Sequence, residues 1–350
     1  MAHFTRRHFN ALFAGGVGSA LAAPHVTRAQ PLDKVRFCWT NTVTVSAQLQ
    51  HTLKNTDIAA KHGLQLEMIQ FVGGPPINEA LVSGAADIGS VADFSAVMLM
   101  SAGAPIKVVA HQSSFRSAVL ATTKSGIDSL AGLKGKQVFG LFGITAYLNA
   151  QEAVRGAGLK VGSDMNFVNL GTPELADSVR AQKIDAFFMW DPWVTLFEQA
   201  GLAKVISQNT APAMVLQARD EFVSKRPDVL KRFLRAHAEA LFYASQNHER
   251  TNKWFQSLEP AKSIPTEVIE RASTFDPNWS VKNFADITTA VSPTGLASMQ
   301  RMGEWGHGEK LLPRVPKVQD SVNLEIAKAV DAEAKTKPFD IAAVKITGGN

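Results

Sequence analysis

The sequence predicts an α/β fold built from two similar lobes. From Val35 onward, short apolar runs typical of strands alternate with segments of helical periodicity, an order that favours largely parallel sheets flanked by helices. A block that begins at Gly73 also matches a block that begins at Gly171 without a gap, which indicates a repeated strand–helix unit. The chain beyond residue 29, about 320 residues, is long enough for about two domains.

The individual elements follow from these patterns in chain order. Seven apolar runs have the composition of strands: VRFCWT, LQLEMIQFV, ADIGSV, IKVVAHQ, KQVFGLF, MNFVNLG and IDAFFMW. Segments such as INEALVSG and PELADSVRAQ lie between them and have the period of amphipathic helices. Further on, Lys225–His237 has apolar residues at helical spacing, so we predict a helix whose basic residues, including Arg235, face solvent.

An offset of 98 residues aligns the two matching blocks. The aligned pairs are Gly73 with Gly171, Pro75 with Pro173, Glu79 with Asp177, Leu81 with Val179, Asp87 with Asp185 and Asp93 with Asp191. Each lobe is therefore predicted to contain a strand, a helix, a second strand, a helix that begins with Gly and Pro, and a strand that ends near the last Asp of its block.

Residues 1–29 have the pattern of an export signal of the twin-arginine type. Arg6 and Arg7 precede a short apolar run, Ala11–Ala23, and small residues near Ala29 offer a cleavage point. The apolar run is shorter than the roughly 20 residues that cross a bilayer. We expect the signal to be removed and the mature protein to reside in the periplasm; a retained N-terminal anchor is the alternative.

The net charge argues against a nucleic-acid-binding protein, and the cysteine content excludes an internal disulfide. Removal of residues 1–29 leaves 33 Lys and Arg against 31 Asp and Glu, a net charge of +2, so we expect no nucleic-acid partner. Cys38 is the one cysteine, so it cannot form an internal disulfide, and we expect it to be a small buried hydrophobic residue.

The sequence has no enzyme signature. It lacks the Gly-x-Ser-x-Gly elbow, the Walker phosphate loop and the His-Glu-x-x-His motif. The nine histidines are scattered, and three of them lie in the predicted signal. We therefore predict a protein that is not an enzyme and that holds neither a metal nor a cofactor.

Two long stretches resemble a known family. GGPPINEALVSGAADIGSVADFSAVMLMSAGAPIKVVA resembles the first-lobe signature of the periplasmic substrate-binding proteins for sulfonates, taurine and nitrate. SGIDSLAGLKGKQVFGLFGITAYLNAQEAVRGAGL and AQKIDAFFMWDPW resemble its second-lobe signature, and together the resemblance covers about residues 33–245. It departs at Gly143-Ile144-Thr145, where the family often has Gly-Ser-Thr or Gly-Ser-Ser.

The resemblance implies the two-lobed, type II flytrap fold of periplasmic binding proteins, with a mostly parallel sheet flanked by helices in each lobe. It implies that residues 30–120 begin lobe 1, that 121–212 form lobe 2, and that 213–350 return to lobe 1 and add C-terminal helices. Hinges are expected near Ser117–Thr123 and Asn209–Leu216, where the chain crosses between the lobes.

The ligand site is predicted on the turns beyond the carboxyl ends of the strands, where helix N-termini converge in α/β proteins. The candidate ligand-binding residues are Asn41, Thr42, Gly74, Asp93, Phe94, Ser95, Phe142, Gly143, Thr145, Trp190 and Asp191. Helix N-termini favour anions, aromatic walls suit an organic body, and two clustered carboxylates would repel a bare anion. A zwitterion or a neutral heteroaromatic ring reconciles these features.

Several roles stay open at this stage. Asp93 and Asp191 each precede a helical pattern, so each is either a helix cap or a ligand contact, and the two roles are compatible. Trp190, at the end of a strand, is predicted to face the cleft, whereas Trp193 is as readily placed inside the lobe. Arg116 and Lys124 flank the predicted crossing, and each is either solvated, as most Lys and Arg are, or a source of positive charge for the site.

The leading hypothesis is an extracytoplasmic solute-binding protein. It would capture a small organic solute, such as a sulfonate or a taurine-like zwitterion, and deliver it to the membrane permease of an ABC importer, acting as a monomer. The alternative is a cleft enzyme that acts on a small heteroaromatic such as a thiamine-pathway pyrimidine, because fungal pyrimidine-precursor synthases resemble the family. Their cysteine-rich motif is absent, since Cys38 stands alone.

Overall fold

The computed structural model describes residues 31–71, 73–211, 213–257, 259 and 261–348. The predicted export signal, residues 1–29, lies outside this range. Within the described residues, no helix combines the length and the apolar character that crossing a membrane requires.

The strands of the described chain form two sheets of five strands each. In chain order the strands are β1 (Asp33–Thr40), β2 (Leu64–Phe71), β3 (Ile88–Ala92), β4 (Ile106–Ser114), β5 (Ser117–Thr122), β6 (Gln137–Gly140), β7 (Asn166–Asn169), β8 (Ala186–Trp190), β9 (Ala203–Asn209) and β10 (Ala213–Arg219). The first sheet has the order β2-β1-β3-β10-β4, and the second has the order β7-β6-β8-β5-β9.

The two sheets have the same topology. In the first, β1 is parallel to β2 and β3, while β10 is antiparallel to β3 and β4. In the second, β6 is parallel to β7 and β8, while β5 is antiparallel to β8 and β9. Each antiparallel strand is the one that follows a crossing between the lobes. The prediction of two similar α/β lobes is confirmed.

Helices cover both sheets. In chain order they are α1 (Thr44–Asn55), α2 (Ile58–Lys61), α3 (Gly74–Val82), α4 (Asp93–Ala102), α5 (Thr145–Gly156), α6 (Thr172–Arg180), α7 (Trp193–Gln199), α8 (Asp220–Lys225), α9 (Pro227–Gln246), α10 (His248–Gln256), α11 (Thr266–Ser273), α12 (Pro293–Gly308) and α13 (Glu325–Ala334). The bounds of α3 and α6 differ by 98 residues, as do those of β3 and β8, so the sequence repeat corresponds to a structural repeat.

The chain passes between the lobes at two short segments. The first crossing is Phe115 and Arg116, between β4 and β5, and the second lies between β9 and β10. Because β5 belongs wholly to the second sheet, the predicted boundary between residues 120 and 121 falls inside this strand. The apolar composition of β5 identifies a strand but carries no signal for the sheet to which it belongs.

The C-terminal helices pack mainly on lobe 1. Helix α1 is buried on almost every side, because α9, α10 and α11 cover the face that the sheet leaves open. The predicted helix from Lys225 onward corresponds to α9, which begins at Pro227, and its apolar face is buried. Arg235 is a correction: it is 9% exposed, pairs with Glu239 at 2.7 Å and lies over the ring of Phe284.

Helix α12 connects the C-terminal region to both lobes. It packs on α4 of lobe 1, and its Trp305 contacts Phe94 of lobe 1 and Tyr147 of lobe 2. At its end, Glu309 forms an ion pair with Arg155 of α5. The two lobes are therefore bridged by α12 within one compact unit.

Candidate functional site

A cavity of about 150 Å³ lies where the two lobes meet, beyond the carboxyl ends of their parallel strands. Lobe 1, lobe 2 and the first crossing all contribute to its wall. The lining residues are Thr42, Val43, Gly73, Phe115, Leu141, Ile144, Thr145, Ala146, Thr172 and Trp190. This is the position that the topology predicts for a ligand in an α/β protein.

The wall contains the first turns of four helices. The residues that precede α1, α3, α5 and α6 are Val43, Gly73, Ile144 and Gly171, and none of the four caps its helix with a side-chain hydrogen bond. The first N–H groups of a helix have no partner inside the helix and carry a partial positive charge. Pro75, Pro76 and Pro173 have no N–H, so α3 and α6 offer fewer donors than α1 and α5. The dipoles of the four helix ends at one small cavity still create a region that favours negative charge.

The sequence makes this close approach possible at the start of α3. Gly73 has φ +82°, a conformation that favours glycine, and its N–H lies 3.4 Å from the Thr40 hydroxyl. A Cβ on Gly74 would collide with the side chain of Ser95 at the neighbouring helix α4. The two glycines let the first turn of α3 lie close to both α4 and the cavity.

The rest of the wall is apolar. Phe115 packs with Val43 and Met214, and Trp190 contacts this group from lobe 2. The indole Nε1 of Trp190 donates a hydrogen bond of 3.2 Å to the backbone oxygen of Thr42, so this side chain also joins the lobes. Trp193 instead lies inside lobe 2 and stacks on Phe197.

Asp93 stands behind the cavity wall. It is the first residue of α4 and is 3% exposed. Its Oδ1 accepts hydrogen bonds from the Thr145 hydroxyl at 2.6 Å and from the Phe94 N–H at 2.9 Å, and its Oδ2 accepts one from the Ala213 N–H at 3.0 Å. Burial raises the pKa of this carboxyl to about 6, against the opposing effect of the hydrogen bond from Thr145.

Asp191 is buried inside lobe 2 and does not line the cavity. Its Oδ2 accepts a hydrogen bond of 2.9 Å from Nε of Arg116, and its Oδ1 accepts bonds from the N–H and the hydroxyl of Thr195. Arg116 is itself 3% exposed and also contacts Glu198 at 3.3 Å. The guanidinium that the sequence suggested as a positive ligand contact is thus occupied by a buried ion pair.

The predicted site residues fall into three groups. Thr42, Thr145 and Trp190 line the cavity, and Gly74 follows the lining residue Gly73. Asp93 and Asp191 lie behind the wall with all their described contacts inside the protein. The remaining predicted residues, whose contacts are local or directed elsewhere, are Asn41, Phe94, Ser95, Phe142 and Gly143.

Those contacts explain why the remaining residues do not reach the cavity. The Asn41 amide donates to the backbone oxygen of Glu259, and Phe94 is buried against Trp305. Ser95 lies against Gly74, and its backbone oxygen accepts a hydrogen bond from Asn78. The Phe142 ring stacks on Tyr147 at 4.2 Å, and Gly143 is exposed with φ +73°.

Sequence reasoning missed seven lining residues of the cavity: Val43, Gly73, Phe115, Leu141, Ile144, Ala146 and Thr172. Thr172 was within reach, because the offset of 98 residues pairs it with Gly74. Ile144 was noted only as a departure from the family turn, yet it adds apolar surface where a hydroxyl is usual. Phe115 lies in a crossing that was assigned a few residues too late.

The lining side chains are suited to binding more than to bond-breaking chemistry. Among the described lining residues, the polar side-chain groups are the hydroxyls of Thr42, Thr145 and Thr172 and the indole N–H of Trp190. Cys38 is buried on β1, and desolvation raises the pKa of its thiol to about 11. The described part of the chain contains no group of three or more His, Cys, Asp or Glu placed to hold a metal ion.

Similar sequences include proteins named for binding sulfonates and taurine. A Bacillus subtilis (strain 168) protein named for binding aliphatic sulfonates is 23% identical over 283 residues, which cover 79% of this chain and 81% of that protein. The taurine-binding periplasmic protein of Escherichia coli K12 is 27% identical over 187 residues, 52% of this chain and 58% of that protein.

The fold has a close counterpart among solved structures. The periplasmic aliphatic sulphonate-binding protein SsuA of Escherichia coli superimposes with a TM-score of 0.71 at 19% identity, covering 83% of this chain and 92% of SsuA. The predicted two-lobed fold of periplasmic binding proteins is thereby confirmed. Residues 28–257 match the NMT1-like family along well over half of the chain, and this protein therefore belongs to the NMT1-like family.

Proposed function

We propose that this protein captures a small organic anion between its lobes, outside the cytoplasm, and delivers it to the permease of an ABC importer. Alkanesulfonates are the leading class of solute. The observation that carries the proposal is the convergence of four helix N-termini, without side-chain caps, on a cavity that has apolar walls. The sulfonate-binding and taurine-binding relatives support the same class.

The positions of the carboxylates favour an anion over a zwitterion. Asp93 and Asp191 would repel a bare anion if both lay in the cleft, as predicted from the sequence. In the structure Arg116 compensates Asp191, and Asp93 shares its oxygens among three donors behind the wall. An ammonium group in the cavity would find no carboxylate among the described lining residues, so a taurine-like zwitterion has one end without a charged partner.

The shape of the site supports a small solute with a short apolar body. A volume of about 150 Å³ accommodates a charged head group and a few carbon atoms. Trp190 and Phe115 would cover the carbon atoms, while helix N–H groups would bind the oxygens of the head group. Because both lobes contribute to the wall, closure of the lobes would complete the binding site, as in hinge-closing proteins.

An enzymatic function receives less support. The described lining residues include no carboxylate, histidine, lysine or cysteine that could serve as a base or nucleophile. A pyrimidine-type ring also has several hydrogen-bonding edges, and the polar side chains of the wall are too few to bind them. We therefore propose binding and release of an unchanged solute.

The test is thermal unfolding of residues 30–350 against a solute panel. The panel contains ethanesulfonate, taurine, nitrate, bicarbonate, an aromatic carboxylate and a thiamine-type pyrimidine. A solute at 100 times its dissociation constant adds about 2.7 kcal/mol to the free energy of unfolding, which raises Tm by several degrees. We expect ethanesulfonate to give the largest shift, and recovery of the solute unchanged would agree with binding. A shift with the pyrimidine alone, or conversion of any compound, would contradict the proposal.

A further inference from the structure

The hydrogen bond between Asp93 and Thr145 joins the walls of two cavities. Thr145 lines the solute cavity at the meeting of the lobes. Asp93 lines a second cavity of about 290 Å³ beside the second crossing, together with Ala211 and Ala213. Since Asp93 belongs to lobe 1 and Thr145 to lobe 2, this bond also connects the lobes.

The bond restricts what the Thr145 hydroxyl can offer to a solute. A hydroxyl has one proton to donate. The distance of 2.6 Å between Thr145 Oγ1 and Asp93 Oδ1 indicates that this proton is directed at the carboxylate when Asp93 is ionised. The oxygen then presents a lone pair, which is unfavourable beside an anionic head group.

Protonation of Asp93 would reverse this arrangement. A proton on Oδ1 can be donated to Thr145 Oγ1, which frees the threonine proton for the solute cavity. The other contacts of Asp93 are compatible with this change, because Phe94 and Ala213 donate backbone N–H groups to lone pairs that the proton does not occupy. The carboxyl group and the hydroxyl therefore work as a pair with two hydrogen-bonding states.

We propose that Asp93 is a positioning residue that sets whether Thr145 donates to or accepts from the solute, so that binding of an anion takes up a proton at Asp93. This proposal rests on the proposed function of the cavity. If Asp93 has this role, anions should bind more tightly at lower pH. Solutes that place a hydrogen-bond donor beside the Thr145 hydroxyl should instead bind more tightly at higher pH.

The surroundings of Asp93 allow it to titrate in the required range. Burial raises its pKa to about 6, within the range where a periplasmic protein works. Of the elements packed against α4, β4 contributes His111 to the second cavity and α12 contributes Arg301. Desolvation lowers the pKa of His111 to about 4, so this ring stays neutral above that pH. Glu152 of α5 interacts electrostatically with Arg301 and is the other carboxyl near these groups.

The test is calorimetric titration with ethanesulfonate, whose own charge is constant above pH 5. The affinity is measured from about pH 5.5 to 8, and proton uptake is measured near pH 6.5 in two buffers of different ionisation enthalpy. We expect the wild-type affinity to fall about tenfold over this range, the contribution of one hydrogen bond to a charged group. We also expect uptake of a fraction of one proton per solute.

Four variants separate this coupling from a purely structural role. Thr145→Val and Asp93→Asn should each bind without proton uptake and with nearly constant affinity. Thr145→Ser retains the hydroxyl and should keep the wild-type pH profile, as should Glu152→Gln. Thr145→Val keeps the shape of the side chain, so it decides the question if Asp93→Asn does not fold.

The outcomes are distinguishable. Binding with the same pH profile in wild type and Thr145→Val would overturn the role of Asp93 and leave the proposed function intact. Loss of the pH dependence in Glu152→Gln would assign the proton to Glu152 and overturn the proposal. Absence of any ethanesulfonate binding in the wild type would refute the anion-binding function itself, and with it this inference.

Discussion

Replacement of Asp191 by Asn tests whether this residue supports the fold or contacts the solute. The change removes the negative charge with almost no change of shape. It leaves the Arg116 guanidinium, which is 3% exposed, without its closest carboxylate. We expect a loss of stability and little change in affinity, because Asp191 does not line the cavity.

The size of the effect follows from the contacts that remain. Removing one partner of a buried ion pair costs about 3–5 kcal/mol. Arg116 keeps Glu198 at 3.3 Å and the Thr195 hydroxyl at 2.8 Å, so we expect the lower end, about 3 kcal/mol. For a chain of this length that corresponds to a decrease in Tm of about 5 °C.

Urea unfolding followed by circular dichroism measures the stability, and calorimetric titration with ethanesulfonate measures the affinity. Glu198→Gln is the matched control, because its side chain is 45% exposed and exposed ion pairs contribute about 1 kcal/mol or less. A variant of Asp191 with wild-type stability and an affinity reduced tenfold or more would refute this reasoning. It would instead identify Asp191 as a ligand contact.

Three further predictions concern the cavity wall, an acid-sensitive ion pair and the single thiol. Trp190→Ala should weaken ethanesulfonate binding about tenfold. Trp190→Phe loses the hydrogen bond to Thr42 and part of the ring surface but keeps an aromatic wall, so it should weaken binding only a few-fold. Equal effects of the two changes in a titration would contradict the assigned role of the ring. Although burial acts to raise it, hydrogen bonds from Arg36 hold the pKa of Asp87 below its usual value. The stability that this ionised group contributes is present above its unfolded-state pKa and is lost as the pH falls through the lower folded-state pKa. Asp87→Asn should therefore flatten the decline in unfolding free energy below about pH 4. An unchanged decline would exclude the Arg36–Asp87 pair as its source. Because burial raises the pKa of Cys38 to about 11, a thiol-specific disulfide reagent should react with it only after unfolding in urea, whereas rapid reaction with the native protein would show an accessible thiolate.

Much of the fold was predictable because its determinants are local and periodic. The apolar runs and the alignment of Asp93 with Asp191 identify the repeated unit, and the bounds of α3 and α6 reproduce its offset of 98 residues. The first crossing was misplaced because β5 is an apolar strand like its neighbours. Its membership of the second sheet depends on pairing with β8 and β9, which are far away in the chain.

The site was predicted less completely because side-chain direction is not encoded by periodicity. The turns were identified, and Thr42, Thr145 and Trp190 line the cavity. The two aspartates differ in their partners: Arg116 crosses from lobe 1 and pairs with Asp191, whereas Thr145 approaches Asp93 from the opposite lobe. No spacing in the sequence distinguishes these two environments, since both residues follow a strand at the same position of the repeat.

The measurement that tests the central claim most directly is a comparison of ethanesulfonate with ethanesulfonamide by calorimetric titration of residues 30–350. The two compounds have nearly the same shape and differ in charge. If the helix N-termini around the cavity bind an anionic head group, the sulfonate should bind at least about tenfold more tightly than the neutral amide. Equal affinities, or tighter binding of the amide, would contradict the claim that this cavity selects negative charge.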